Sequence, residues 1–160
     1  MSTKSKVFSF VSCFLLIVLI FYAAAYIYIY KTVDVAFSYE GMEAENSELE
    51  WMNDYSEYFN SHSQNLAKCE LNIANNSNFS IEKVSIHHAS YKSLELIGDS
   101  ALCESVLDID SGSAFSRSYY YAVANTATES DIANELNEKS NVITFKVWFL
   151  KFALKANFTE

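Results

Sequence analysis

Histidines are the first residues to consider as metal ligands or as acid–base groups. The chain has 3 of them, and two of these, His87 and His88, are adjacent. Successive side chains of a β-strand point to opposite faces, so two adjacent imidazoles cannot bind one ion together. A metal site would need His62 and further ligands brought near by the fold. The sequence therefore predicts no metal and no other cofactor.

A serine–lysine pair has the spacing of a known nucleophile motif. Ser80 and Lys83 match S-x-x-K, in which a lysine one helical turn away activates the serine hydroxyl. The surrounding polar residues predict a turn that enters a strand, where positions i and i+3 face opposite ways. The companion motifs S-D-N and K-T-G are missing from the sequence, as are G-x-S-x-G, a glycine-rich phosphate loop and H-E-x-x-H. We expect that the protein is not an enzyme.

The cysteines have the chemistry of a disulfide. Cys69 and Cys103 are the only two that follow the N-terminal apolar segment, and Cys13 lies within that segment. An oxidising compartment favours a bridge between such a pair. Closing a loop of this length would stabilise the fold by roughly 3–4 kcal/mol in the chain-entropy model. We predict a Cys69–Cys103 disulfide, with two free structural thiols as the alternative.

The elements that must hold these residues begin with an apolar segment. Val7–Tyr30 contains no charged residue, and a helix of that length spans a hydrocarbon core of roughly 30 Å. Lys4 and Lys6 precede it, which by the positive-inside rule keeps the N-terminus in the cytoplasm. We predict a cytoplasmic segment over residues 1–6 and a transmembrane helix over residues 7–30, with the rest periplasmic or extracellular. Tyrosines suited to the headgroup layer crowd its outer end: Tyr22, Tyr26, Tyr28 and Tyr30.

A cleaved signal peptide is the alternative for the same segment. The two lysines form an n-region, Val7–Tyr22 an apolar h-region and Ala23–Ala25 a cleavage site of the A-x-A type. The apolar stretch nevertheless continues through Tyr26–Tyr30, which a signal peptide does not require. We therefore favour the retained anchor.

Composition limits the classes of function. Acidic residues outnumber basic ones, 20 Asp and Glu against 11 Lys and Arg, and the net charge is -9. An acidic surface repels phosphate backbones, so we expect no nucleic-acid partner. With 51% hydrophobic and 16% aromatic residues the chain is too apolar to be disordered. The sequence suggests no small-molecule substrate.

Residues 31–66 are predicted to form an acidic stalk. Apolar side chains recur there at near-helical spacing, as at Leu49, Met52 and Tyr55, which predicts a helix over about residues 43–60. The apolar stripe of this helix packs on the body or docks a partner, and both alternatives stay open. For the second case the predicted partner-binding residues are acids and aromatics: Glu48, Glu50, Trp51, Asp54, Tyr55, Glu57 and Tyr58.

Residues 67–160 change to the period of two that is typical of strands. Cys69, Leu71 and Ile73 alternate with polar residues, and turn-forming stretches such as Asp110–Ser113 separate short segments of this kind. Thr128–Asp131 has the pattern of a capping box and predicts a helix over about 129–139. We predict a small α+β, mainly β external domain, an antiparallel β-sandwich with one or two helices.

Val142–Ala156 fits two structures. Apolar residues alternate at its start, at Ile143, Phe145 and Val147, which favours a strand. A helical spacing also runs through it, and three lysines beside a tryptophan suit an interfacial membrane segment: Lys146, Lys151, Lys155 and Trp148. We favour a long central strand, because a domain of this size needs one to bury its sheet.

Two classes of function remain. The first, which we favour, is a non-enzymatic accessory or interaction subunit of a membrane protein complex, with partners bound by the transmembrane helix and by the acidic external domain. The second is a membrane-held inhibitor or immunity protein that blocks an envelope-acting toxin or enzyme with its acidic face. A gene neighbourhood that contains a toxin would favour the second.

Overall fold

The N-terminal segment is one long helix. The computed structural model describes residues 3–43, 65–97, 103–106, 108–123 and 126–159 of the chain. Helix α1, Thr3–Thr32, has no proline or glycine and no charge between Lys6 and Lys31, so nothing interrupts its hydrogen bonds. At its end the Thr32 hydroxyl donates to the Tyr28 carbonyl oxygen over 2.8 Å, and the next residue begins a strand. The helix therefore enters the β domain without a linker.

The strands form two sheets. Their bounds are β1 Val33–Glu43, β2 Leu66–Asn75, β3 Glu82–His87, β4 Leu94–Leu96, β5 Cys103–Ser105, β6 Ser113–Val123, β7 Val142–Val147, β8 Leu150–Lys155 and β9 Asn157–Thr159. One sheet has the order β4-β6-β2-β1-β9 and the other the order β5-β3-β7-β8. These pairings are antiparallel except that of β9 with β1. The prediction of an apolar helix followed by a mainly β domain is confirmed.

One hydrophobic cluster joins the two sheets. Leu71 and Ile73 of the five-stranded sheet and Ile86 and Ile143 of the four-stranded sheet are all 0% exposed and belong to it. Polar residues occupy alternate positions, as at exposed Asn72 between the first two. Burial of an aliphatic side chain of this size is worth about 1.5–3 kcal/mol. The period of two therefore decides which side of each sheet faces the core.

Helix α2, Glu129–Glu138, begins with the predicted capping box. The Asp131 amide donates to the Thr128 hydroxyl over 3.3 Å, and the Thr128 amide donates to the Asp131 carboxylate over 2.9 Å. Hydrogen bonds from the Thr128 hydroxyl and amide hold the pKa of Asp131 below its ordinary value. Ile132 and Leu136, one turn apart, are buried. The helix predicted over about 129–139 is confirmed.

The first part of the predicted stalk belongs to a sheet. β1 pairs with β2 along its whole length, starting with Val33 opposite Asn75. Val33, Val35 and Phe37 are buried, while Asp34 between them is exposed. Asp34 thus occupies a position that alternates with the core residues of this strand. The β domain starts at Val33, and not at residue 67 as predicted.

Val142–Ala156 contains a hairpin. β7 and β8 pair from Val142 opposite Lys155 to Val147 opposite Leu150, which leaves Trp148 and the next residue as the turn. Trp148 has a φ of 56°, a left-handed conformation that glycine or asparagine usually supplies in two-residue hairpin turns. The prediction of extended structure rather than a helix is confirmed. The prediction of a single long strand is wrong, and the sequence has no typical turn residue at Trp148 or the next position to indicate the turn.

The predicted Cys69–Cys103 disulfide is not formed. Cys69 is a free, fully buried thiol on β2, in the middle of the five-stranded sheet. Cys103 lies on β5, at the edge of the other sheet, opposite His87. Because Cys69 lies on an inner strand of one sheet and Cys103 on an edge strand of the other, the fold does not bring the two within the Cα separation of about 7 Å that a disulfide needs. Burial, aided by the Glu40 carboxylate, raises the pKa of Cys69 to about 12, so its thiol stays protonated.

Candidate functional site

The predicted partner-binding segment lies outside the described residues. All seven of its residues fall between residues 44 and 64, as does most of the helix predicted over 43–60. The list is Glu48, Glu50, Trp51, Asp54, Tyr55, Glu57 and Tyr58. Their partner-binding role stays a prediction.

The serine–lysine pair is held by two aspartates. The Ser80 hydroxyl donates to the Asp110 carboxylate over 3.1 Å, and the Lys83 amide donates to the Asp108 carboxylate over 2.8 Å. These carboxylates flank Ile109, whose backbone pairs with Ile81. The acids therefore fix the loop that leads into β3, and the serine hydroxyl is engaged with a carboxylate rather than with the lysine.

The two adjacent histidines have opposite surroundings, as strand alternation predicts. His87 is exposed and lies 3.1 Å from the Thr144 hydroxyl, whereas His88 is 8% exposed and packs edge-on against the Tyr119 ring. Neither ring nitrogen of His88 has a hydrogen-bond partner among the described residues. Burial lowers the pKa of His88, and the nearby Glu104 carboxylate only partly opposes that shift. His88 is therefore a neutral core residue.

An ionic contact links the two sheets beside that histidine. Glu104 of β5 forms an ion pair with Arg117 of β6, and the Tyr119 hydroxyl donates to its other oxygen over 2.9 Å. Burial raises the pKa of Tyr119, and its bond to Glu104 adds to the shift. The cluster has a carboxylate, a guanidinium and a phenol, but its carboxylate already accepts from both partners. Its geometry is that of a cross-link between sheets.

No metal centre is formed by the part of the chain that the structure describes. Groups of three or more His, Cys, Asp and Glu side chains close enough to hold an ion are absent there. One depression, of about 410 Å³, has a basic lining that includes Lys83, Lys146 and Lys151. Its cations suit an anionic group at the surface.

Most of α1 is bare. From Phe10 to Ala24 every residue is exposed, with Leu16 at 60% and Leu19 at 65%. The segment Phe10–Thr32 reaches a mean hydropathy of 2.6 and is long and apolar enough to cross a membrane, a property that signal sequences near an N-terminus share. An uncovered apolar surface of this extent is not stable in water.

The last two turns of α1 are part of the β domain. Ile29 is 2% exposed and belongs to the core cluster. The Asn78 amide donates to the Tyr28 hydroxyl over 3.1 Å, and the Asn76 amide donates to the Thr32 carbonyl oxygen over 2.8 Å. The helix end is therefore packed and hydrogen-bonded, and its direction relative to the domain is set.

The loop after β2 carries an aromatic ring to this junction. Buried Asn75 donates to the Phe79 carbonyl oxygen over 2.8 Å and to that of Ile109 over 3.0 Å, which fixes the loop between them. The Phe79 ring then lies edge-on to Tyr28, with 6.1 Å between centroids, and to Trp148, with 4.7 Å. Phe79 thus connects the helix end with the β7–β8 turn.

The β7–β8 turn exposes two large apolar side chains. Trp148 is 63% exposed and Phe149 is 84% exposed. Both follow β7, in which every second residue is buried. Sequence reasoning named Trp148 only within the alternative of an interfacial segment, and it missed Phe149, Phe79 and Ile29 as site residues. A signal existed for the turn, because four apolar residues in a row, Val147 to Leu150, break the alternation of the flanking strands.

Comparison with known proteins gives no family. No family model matches the chain, and no curated protein matches its sequence. It is similar to structures of a GH20 exo-β-N-acetylglucosaminidase from Vibrio harveyi, one an inactive mutant and one in complex with N-acetylglucosamine. In both cases the TM-score is 0.41, the identity is 9%, and the match covers 80% of this chain and 18% of the other. The chain spans less than a fifth of that enzyme, and a likeness this weak supports no conclusion about activity.

Proposed function

We propose that the protein is a single-pass, membrane-anchored accessory subunit that acts by binding other membrane proteins. The observation that carries the proposal is the contrast along α1. Residues 10–24 are apolar and bare, whereas the end of the helix is packed into a folded β domain. A helix of this kind needs lipid or other helices around it, and it holds the domain at the membrane surface.

The bare stretch is apolar on every side. Phe14, Leu15, Leu16 and Ile17 follow one another through a full turn and are all at least half exposed. A helix that covers the core of a soluble domain would have a polar face. The absence of one supports a lipid-facing span that can also contact neighbouring transmembrane helices.

The charge distribution supports the proposed orientation. Lys4 and Lys6 lie before the span, and all acidic residues lie after it. By the positive-inside rule the N-terminus is cytoplasmic and the β domain, a two-sheet sandwich, is periplasmic or extracellular. The acidic domain would then associate fastest with a basic partner surface.

Crosslinking from within the span tests the proposal. A photoreactive residue is placed at Leu16 in the full-length protein, and its products are compared with those from Ile29, which the domain core covers. We expect one defined membrane protein to crosslink at the first position and none at the second. Recovery from cells of a soluble protein that begins at Tyr26, or crosslinks to lipid alone at every lipid-exposed position, would refute the accessory-subunit role.

A second experiment tests the acidic stretch as the interface. Charge reversal at Glu48, Glu50, Asp54 and Glu57 should slow association with the crosslinked partner, and rising salt should do the same in the native chain. Reversal of the exposed acids Glu129 and Glu138 of α2 is the control. If the two sets of substitutions slow association equally, residues 44–64 are not part of the interface.

A further inference from the structure

Two contacts fix the direction in which the β7–β8 hairpin runs relative to α1. The Tyr26 ring stacks on that of Phe152, with 5.6 Å between centroids. Five residues further along, Asn157 of β9 is in parallel register with Ala36 of β1. The segment from Phe152 to Asn157 therefore runs beside the segment from Tyr26 to Ala36, and in the same direction.

The turn therefore projects toward the bare part of α1. Phe149 precedes Phe152 by three residues, and a strand rises about 3.3 Å per residue. The turn therefore lies about 10 Å from Phe152 along β8, on the side away from Asn157. That distance corresponds to roughly two turns of helix. The tip of the hairpin is thus at the end of the domain from which the exposed part of α1 extends.

The exposed turn is held in place rather than free. Trp148 contacts Phe79, which contacts Tyr28 on α1. The pairs Lys146–Lys151 and Val147–Leu150 hold the register next to the turn. The two aromatic side chains at the tip are therefore presented to the surroundings in a fixed position relative to the helix.

Lysines lie one step behind the tip. Lys146 and Lys151 are directly opposite each other, and Lys83 lines the same depression. Like charges opposite each other destabilise a hairpin. Glu82 of β3 is in register with Lys146 on its other side, but no described acidic residue lies within ion-pair distance of either lysine. A lysine close to lipid phosphates is attracted by their negative charge. Apolar rings at the tip with cations behind them match the order of acyl chains and phosphates in a leaflet.

We propose that the Trp148–Phe149 turn is a second membrane contact, inserted at the headgroup boundary of the leaflet from which α1 emerges, with Lys146 and Lys151 against lipid phosphates. The inference rests on the proposed function, because it requires that α1 span the same bilayer. The domain is then attached at two points and cannot rotate freely about the helix axis. A fixed orientation of this kind presents one side of the domain to a partner in the same membrane.

Tryptophan fluorescence of the full-length protein in vesicles tests the proposal. The chain has 2 tryptophans, so Trp51→Phe leaves Trp148 as the single reporter, and Trp148→Phe leaves Trp51 as the matched control. The vesicles contain phosphatidylcholine and phosphatidylglycerol, with brominated acyl chains as the quencher. We expect quenching and a blue-shifted emission for Trp148, and we expect Phe149→Asp, at a site 84% exposed, to reduce the quenching without unfolding the domain.

Resistance of the chain to alkaline carbonate extraction separates the possible outcomes. If the chain stays in the membrane and Trp148 is not quenched, the turn is not inserted and the inference is overturned, while the membrane anchor stands. If the chain is extracted, the proposed function fails together with the inference. Replacement of Lys146 and Lys151 by glutamine should weaken the dependence of quenching on phosphatidylglycerol. If quenching in the native chain does not depend on the phosphatidylglycerol content, the lysines are not part of the membrane contact.

Discussion

The two parts of α1 have nearly the same apolar composition and opposite surroundings. Ile27 is 55% exposed, and Ile29, two residues later, is 2% exposed. The difference arises because α1 continues into β1 without a linker, so that its last turns must pack beside the sheet edges. Tyr26 and Tyr28 show the same division, since each has one ring contact with the domain although the helix before them has none among the described residues.

The difference teaches that one helix can serve as two structural elements. Residues 10–24 are apolar and exposed, whereas in the last turns of the helix Ile29 belongs to the core cluster and Tyr28 packs against it. A hydropathy profile cannot separate them, because both are apolar. The division gives each part its own measurable response to substitution.

A charge in the bare part has the largest expected effect. Leu19→Arg replaces a residue near the middle of the span, and on insertion scales this change costs roughly 3–4 kcal/mol. We expect the fraction of protein integrated into membranes in a translation assay to fall, with Leu19→Ile as the control. Stability of the β domain in detergent should not change. Normal integration of the arginine variant would show that this stretch is not the membrane segment.

Truncation in the packed part acts on the domain instead. Ile29→Ala removes a core side chain, and such changes cost about 3 kcal/mol of the free energy of unfolding. The matched variant Ile27→Ala makes the same chemical change at an exposed position. We expect only the first to lower the midpoint of urea unfolding, measured by near-UV circular dichroism in detergent. Equal effects of the two variants would contradict the division of α1.

Much of the β domain follows from sequence patterns. The alternation at Cys69, Leu71 and Ile73 predicts β2, and Thr128 with Asp131 predicts the start of α2, because both depend on local geometry. β1 was missed even though Val33, Val35 and Phe37 alternate with polar residues. The acids that continue after it suggested one solvated segment, and a strand was not separated from them.

The candidate site was less predictable, because it depends on contacts between distant segments. Phe79 comes from a loop held by Asn75, Trp148 from a turn without a turn residue, and Tyr28 from the helix. No local pattern brings these three together. The disulfide was wrong for the same reason, since spacing along the chain does not show that Cys69 and Cys103 belong to different sheets.

A pH titration separates the helix junction from the opposite part of the core. Burial lowers the pKa of His88 in the folded state, so between its ordinary value of 6.5 and lower pH the unfolded chain binds more protons. The free energy of unfolding should therefore fall as the pH drops from 7 toward 5. His88→Phe keeps a ring packed on Tyr119 and should remove this slope. Ile29→Ala should lower the free energy of unfolding at every pH and leave the slope unchanged.

An acidic group sets the lower limit of the pH window for that measurement. Burial favours protonation of Glu135, but hydrogen bonds from the amides of Lys92 and Ser93 outweigh it and lower its pKa, so its contribution is lost only below about pH 4.5. A slope between pH 7 and 5 that persists in His88→Phe would show that another group titrates on unfolding.

The smallest expected effect concerns a single hydrogen bond at the boundary between the two parts of α1. Tyr28→Phe keeps the edge contact with Phe79 and removes the hydroxyl that accepts from the Asn78 amide. A hydrogen bond of this kind contributes about 0.5–1.5 kcal/mol, and the lower end is expected because the Asn78 amide is exposed and water can replace the hydroxyl. Tyr30→Phe, at a residue 63% exposed, is the matched control and should leave urea unfolding unchanged. The loss in Tyr28→Phe should be several times smaller than that in Ile29→Ala, since the junction is held mainly by buried apolar surface. A loss as large as that of Ile29→Ala would mean that the loop from Asn75 to Phe79, rather than the core contact of Ile29, fixes the helix on the domain.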